Sequence, residues 1–275
     1  MYWNLITIEN TKNLRRRMLW VELVLLSLFV IAIFLFLFMS IKDIPDGVTI
    51  SDEDLAEIPH LITWPGSFDF ALRFVAEGNL GELLLIVFVG AVTASEYTWR
   101  TLRLSLSRGI PRFMLLGAKF TALLIPSLMI MLAGLAAGAA ITALFSIWFN
   151  GTLAIDQIDL GRLVLNIGCS TYAMLPYAAL TFLLAVTFRS AVVAIGGGLA
   201  FSMLIETFLI QVLVPLDGIL GHVGRIFPKV LTTSLIGGTE SAVLEPLHAA
   251  VGIGLWTLTL LTVALLIFQR QDISG

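Results

Sequence analysis

The feature that most limits what this chain can become is its succession of apolar runs long enough to cross a lipid bilayer. A bilayer core takes about 20 residues of helix, and such runs lie near residues 19–40, 113–147, 163–188, 191–214 and 249–268. The first holds a single charged residue, Glu22. Because lipid offers the backbone no hydrogen-bond partners, segments of this kind close their own bonds as helices. An all-α, polytopic membrane protein is therefore expected. Composition agrees: 58% of the 275 residues are hydrophobic and only 13% charged, against about 25% charged in ordinary globular chains.

A sixth span is needed to use the apolar residues Leu83 to Ala94, which alone make only about 18 Å of helix at 1.5 Å per residue. Extended backward it becomes residues 71–95 and takes in Arg73, Glu77 and Glu82. Each would cost about 2.5–3.5 kcal/mol near the bilayer centre, so they should face protein or water. In the alternative, Leu72 to Gly81 is a surface helix with Arg73 and Glu77 as an exposed i,i+4 pair, and the span starts near Leu80.

Six spans put both termini on one side. That side carries Lys12, Arg15, Arg16, Arg17, Arg100, Arg103, Arg108, Arg112, Arg189 and Arg270, while the other carries Lys42, Arg73, Arg162, Arg225 and Lys229. The excess of basic residues assigns the termini to the cytoplasm and the chain to a cell membrane as a single transmembrane domain. Before the first span, residues 1–18 alternate at helical spacing, Trp3, Leu5, Ile6 and Ile8 against Asn4, Glu9, Lys12 and Asn13, as a helix lying in the interface would.

Several chemistries find no support. The single cysteine, Cys169, permits no intrachain disulfide and is read as a small core residue, and histidines 60, 222 and 248 have no ligand spacing. No metal or cofactor is expected. No stretch ends in the lysine-serine/threonine pair of a phosphate-binding loop, so the chain itself is not expected to hydrolyse ATP or to be an enzyme. Glu206, within the fifth run, and Glu82 are ionisable groups at membrane depth, each either on a translocation path or in a buried pair. Glu22 is read as a partner of Arg15 to Arg17. Gly134 and Gly138, four apart in the third run, suit close helix packing, either with a second subunit or within this one.

Between the second and third runs lies SEYTWRTLRLSLSRGIPR, residues 95–112, with four arginines and a glutamate. Wound as a helix over 96–108, it puts Glu96, Arg100, Arg103 and Ser107 on one face and Trp99, Leu102 and Leu106 on another. Gly109 and Pro111 end it. Positive-inside topology requires arginines but not this spacing.

EYTWRTLRLSLSRGIPRFMLLGAKF resembles the segment after the second span in the type-2, exporter-type family of ATP-binding-cassette (ABC) permeases. The match lies at Glu96, Thr101, Leu102, Arg103, Ser107, Arg108, Arg112 and Lys119, with Arg100 where that family most often has glycine. The resemblance implies a permease subunit with an interfacial N-terminal helix and six spans. A cytoplasmic coupling helix, within the loop of residues 96–111, would be pushed by a separate ABC ATPase present in two copies. Implied coupling residues are Glu96, Arg100, Arg103 and Arg108 as charged contacts, Trp99, Leu102 and Leu106 as anchors, and Thr101 within the motif. A second permease subunit, identical or paralogous, is implied, along with membrane lipid and no nucleic acid. The connection 215–248 would partly re-enter the membrane and gate the exit. The mostly apolar path favours a lipid, an amphiphilic drug or a hydrophobic peptide as substrate, and export is expected because no large outer docking domain is seen. An ATP-independent secondary transporter or channel is the alternative, and it would concentrate ionisable groups at mid-membrane.

Overall fold

The computed structural model describes residues 2–42, 64–77, 80–98, 109–150, 158–216, 218–236 and 243–271. Among them there is no strand. The helices are α1 (Tyr2–Arg15), α2 (Arg17–Lys42), α3 (Ser67–Ala76), α4 (Leu80–Thr98), α5 (Arg112–Ala122), α6 (Leu124–Asn150), α7 (Leu160–Ala173), α8 (Leu175–Phe188) and α9 (Ala191–Ala200). A π-helical turn (Phe201–Glu206), α10 (Thr207–Leu213), α11 (Ile219–Arg225), α12 (Pro228–Ile236) and α13 (Pro246–Arg270) complete it.

Six helical stretches are long and apolar enough to span a membrane: Arg17–Met39, Ser67–Tyr97, Arg112–Trp148, Leu160–Phe188, Ala191–Leu213 and Pro246–Arg270. The protein is an all-α, multi-pass membrane protein. Four of the six are interrupted, and each interruption has a local cause or consequence. The third breaks at Leu123 because Pro126 has no N–H to give the carbonyl of Ala122. The fourth breaks at Met174, and Pro176 then sits in the first turn of α8, where the missing donor costs nothing. The second breaks after α3, and the fifth passes through the π turn.

Helix α8 lies at the centre, packed against α4, α9 and α13, while α2 and α3 pack on α6. Among the described residues the largest fully buried side chains are Tyr177, Phe34, Phe88, Phe182 and Phe268. Helix α3 is no exposed surface helix: Phe68, Ala71, Leu72, Val75 and Ala76 are buried against α6 and α7, and Arg73 and Glu77 are half-buried. The charged first half of the second stretch therefore faces protein.

The Gly134 and Gly138 pair also packs inside the subunit. A Cβ at Gly134 would run into Val75, and one at Gly138 would lie 2.8 Å from Ala71 Cβ and 3.3 Å from the Phe34 ring. Small residues are thus needed where α6 meets α3 and α2. Gly138→Val is expected to cost about 1–3 kcal/mol by overpacking, read as a lower unfolding midpoint in detergent. At Gly168, where an added Cβ meets nothing within 4 Å, alanine is expected to leave the midpoint undiminished.

Candidate functional site

Two groups of buried polar side chains stand out in this apolar bundle. The first gathers at the end where the chain termini lie. Helix α1 turns Ile6, Glu9 and Asn13 inward, one face at i, i+3 and i+7, against α5. Trp3 and Ile8 stay exposed, at 76% and 52%. Asn4, Thr7, Thr11 and Lys12 are exposed with them, so α1 shows a mixed face to its surroundings and buries two polar side chains with one apolar one.

What holds that buried face is Lys119. Its Nζ lies 2.5 Å from Glu96 Oε2 on the last turn of α4 and 3.2 Å from Glu9 Oε1 on α1, and all three side chains are buried. Lys12 meets Glu9 Oε1 at 2.8 Å from the outer side. Asn13 Nδ2 donates to the carbonyl of Ala122 at 3.4 Å, the very group that Pro126 leaves without an intrahelical donor. Tyr2 and Thr121 share a hydroxyl contact of 3.0 Å, and Arg16 Nη1 donates to Ser95 Oγ at 3.1 Å. Side chains this far from water need paired charges and filled hydrogen bonds. The space left among Glu9, Asn13, Glu96, Lys119 and Phe182 is about 10 Å3, the lower limit for a single water.

Burial pushes the Glu9 carboxyl up, but Lys119 and Lys12 outweigh it and hold Glu9 below its usual 4.5. Burial lowers the Arg16 guanidinium, despite Glu96 and Glu9 nearby. Glu96, expected as a charged contact of a coupling helix, is buried at the base of the arginine-rich segment. Trp99, Arg100, Thr101, Leu102, Arg103, Leu106 and Arg108 lie outside the described residues. Just beyond that segment, Arg189 stands over the Tyr97 ring at 5.9 Å, tying the end of α8 to the end of α4.

The second group lies within the spans. The π turn carries Ser202 and Glu206 inward, at 2% and 0% exposure, while Met203, Leu204 and Ile205 between them are exposed. Ser202 Oγ donates to Glu82 Oε1 at close range, and Glu82 is itself fully buried. Tyr177 donates its hydroxyl to Glu206 Oε2 at 2.8 Å, and the backbone N–H of Lys229 donates to Glu206 Oε1 at 2.7 Å. Lys229 is the second residue of α12, so Glu206 places a carboxylate on the N-terminus of that helix, where unpaired N–H groups and the helix dipole favour an anion. Lys229 Nζ turns to Thr207 Oγ1 at 3.1 Å. Glu82 and Glu206, picked out separately in the sequence, thus meet at the π turn, Glu82 bonded to its Ser202 and Glu206 four residues further on.

Sequence reasoning missed Glu9, Asn13, Tyr177 and Ser202. The available signal was a pair of glutamates, Glu9 and Glu96, on the side with the basic excess. The pairing expected for Glu22 is not made: the side chain is buried, and neither carboxyl oxygen has a hydrogen-bond partner. Cys169 is half-buried rather than in the core. A scan against protein-family models and a search of curated proteins both gave no match.

The pH dependence follows from Glu9. Its folded value is depressed, so its contribution is complete above about pH 4.5, the unfolded value, and is lost as pH falls through the folded value. Hydrogen exchange along α1 is expected to quicken in that acid window. Glu9→Gln should flatten the step and leave α1 faster-exchanging at neutral pH.

Proposed function

We propose that this chain is the permease subunit of an ATP-driven ABC transporter, exporting a hydrophobic or amphiphilic substrate. Hydrolysis falls to a separate cytoplasmic ATPase in two copies, and a second permease subunit, identical or paralogous, completes the pore in a cell membrane. The ten-to-five basic asymmetry supports cytoplasmic termini.

The observation that carries this reading is the Glu9–Lys119–Glu96 cluster. It binds the interfacial helix, the end of the second stretch and the start of the third into one unit at the root of the segment that resembles the ABC coupling helix. A load applied to residues 99–108 would meet a fixed base there and pass to the spans. In this account Arg100, Arg103 and Arg108 meet the ATPase through charge-assisted hydrogen bonds, Trp99, Leu102 and Leu106 seat the helix, with Thr101 beside them, and Glu96 serves as the anchor beneath.

A second reading, an ATP-independent secondary transporter, draws on the polar residues Glu82, Ser202, Tyr177 and Glu206. Buried carboxylates at membrane depth mark ion and substrate routes, and π turns recur at functional sites. In the ABC reading the same carboxylates line or border the path.

A pull-down in mild detergent separates the two. Wild type should bring down an ATPase activity, and Arg100→Glu/Arg103→Glu should lose it about tenfold or more, since each charge-assisted bond is worth about 1.5–3 kcal/mol. An eluate without ATPase activity, with transport that continues without ATP, favours the secondary transporter.

A further inference from the structure

The arginine-rich segment ends at Pro111, and the residue that follows it does more than supply positive charge. Arg112 opens α5, and its Nη1 lies 3.0 Å from the carbonyl of Phe268, 2.7 Å from that of Gln269 and 2.9 Å from that of Gln271. These carbonyls sit at the end of α13, where the last four of any helix have no intrahelical donor. A cation there also meets the negative end of the helix dipole. From the same place Gln271 Nε2 donates to the carbonyl of Val186 at 2.7 Å, near the end of α8. One guanidinium therefore draws the start of the third span, the end of the last and, through Gln271, the end of the fourth into contact.

Both ends of the arginine-rich segment are thus tied to α5, and each through it to a further set of elements. On the near side, Glu96 is held with Lys119 and Glu9, which joins the segment to α1 and α5. On the far side, Arg112 joins it to α13 and α8. Those two helices pack extensively on each other, so displacement delivered at Arg112 reaches the fourth and last spans together, while the Lys119 cluster meets the fourth at Phe182.

We propose that Arg112 is a positioning residue, a clamp that caps the last span and carries movement of the arginine-rich segment into the fourth and last spans. The carrying of movement rests on the ABC reading; the clamp itself does not. A single nitrogen, Nη1, meets all three carbonyls, so a lysine ammonium that reaches the same place is expected to keep part of the cap.

The test compares the full-length chain with Arg112→Ala, Arg112→Lys and Gln271→Ala, the last leaving the cap in place and removing only the contact to Val186. Hydrogen exchange by mass spectrometry reads the clamp. Amides of residues 267–271 should exchange about tenfold faster or more in Arg112→Ala, the two N–H donors of Nη1 having been lost, at an intermediate rate in Arg112→Lys, and near the wild-type rate in Gln271→Ala. Unchanged exchange in Arg112→Ala overturns the clamp, and exchange in Arg112→Lys as fast as in Arg112→Ala overturns the part given to a positive nitrogen at this place.

The second readout places spin labels at Trp20→Cys and Leu266→Cys, both exposed positions, in a Cys169→Ser background and in complex with the ATPase that co-purifies. ATP with vanadate should change the label distance in the wild type and not in Arg112→Ala, with the ATPase still bound. A change that persists in Arg112→Ala overturns the transmission. If the wild type brings down no ATPase, the ABC reading and the transmission fall together, and the exchange result alone decides the clamp.

Discussion

Lys119 is the charge on which the terminal end of this protein depends. It stands on the third span and is buried, and it answers two carboxylates, Glu96 from the second span and Glu9 from α1. An apolar bundle has few ways to fix a helix that lies across its end, because lipid-like surfaces slide. A buried ion pair fixes position through geometry, and removing one partner from such a pair costs about 3–5 kcal/mol by stranding the other. The attachment of α1 and the base of the arginine-rich segment both follow from it.

The same economy governs the other polar groups. In a medium without water each backbone group freed by a helix break or a helix end needs a side chain to replace the lost bond. The Ala122 carbonyl freed by Pro126 receives Asn13, the N-terminus of α12 receives Glu206, and the C-terminus of α13 receives Arg112. Three polar residues that would be costly anywhere else in the bundle stand where the backbone is interrupted. The interruptions therefore join helices to one another.

Hydropathy made the number and order of the spans legible, because a run of about 20 apolar residues has few other uses. The breaks within them were not, since α-helix and π turn have the same average hydropathy and only Pro126 and Pro176 gave a local sign. The Gly134 and Gly138 spacing announced a close packing but not its partner, which proved to be Ala71, Val75 and Phe34 of the same chain. Glu9 and Asn13 looked like the wet face of an amphipathic helix, because periodicity records which residues share a face and not what that face meets. Glu22 lies five residues beyond an arginine cluster, a spacing that suggests a pair; the fold turns it inward instead. Glu82 and Glu206 could be singled out by cost alone, whereas Tyr177 and Ser202 carry no charge and only the fold joins them to the carboxylates.

The most direct test of this account is a double-mutant cycle on Lys119→Met and Glu96→Gln, with unfolding free energy measured in detergent. Contacting groups in one network couple by about 0.5–3 kcal/mol, and independent sites add within about 0.5 kcal/mol. A coupling near the upper end of the first range is predicted, because neutralising Glu96 removes much of the reason for Lys119 to be charged where it is. Additive losses would mean that the two do not act together, and that something other than Lys119 holds the base of the arginine-rich segment.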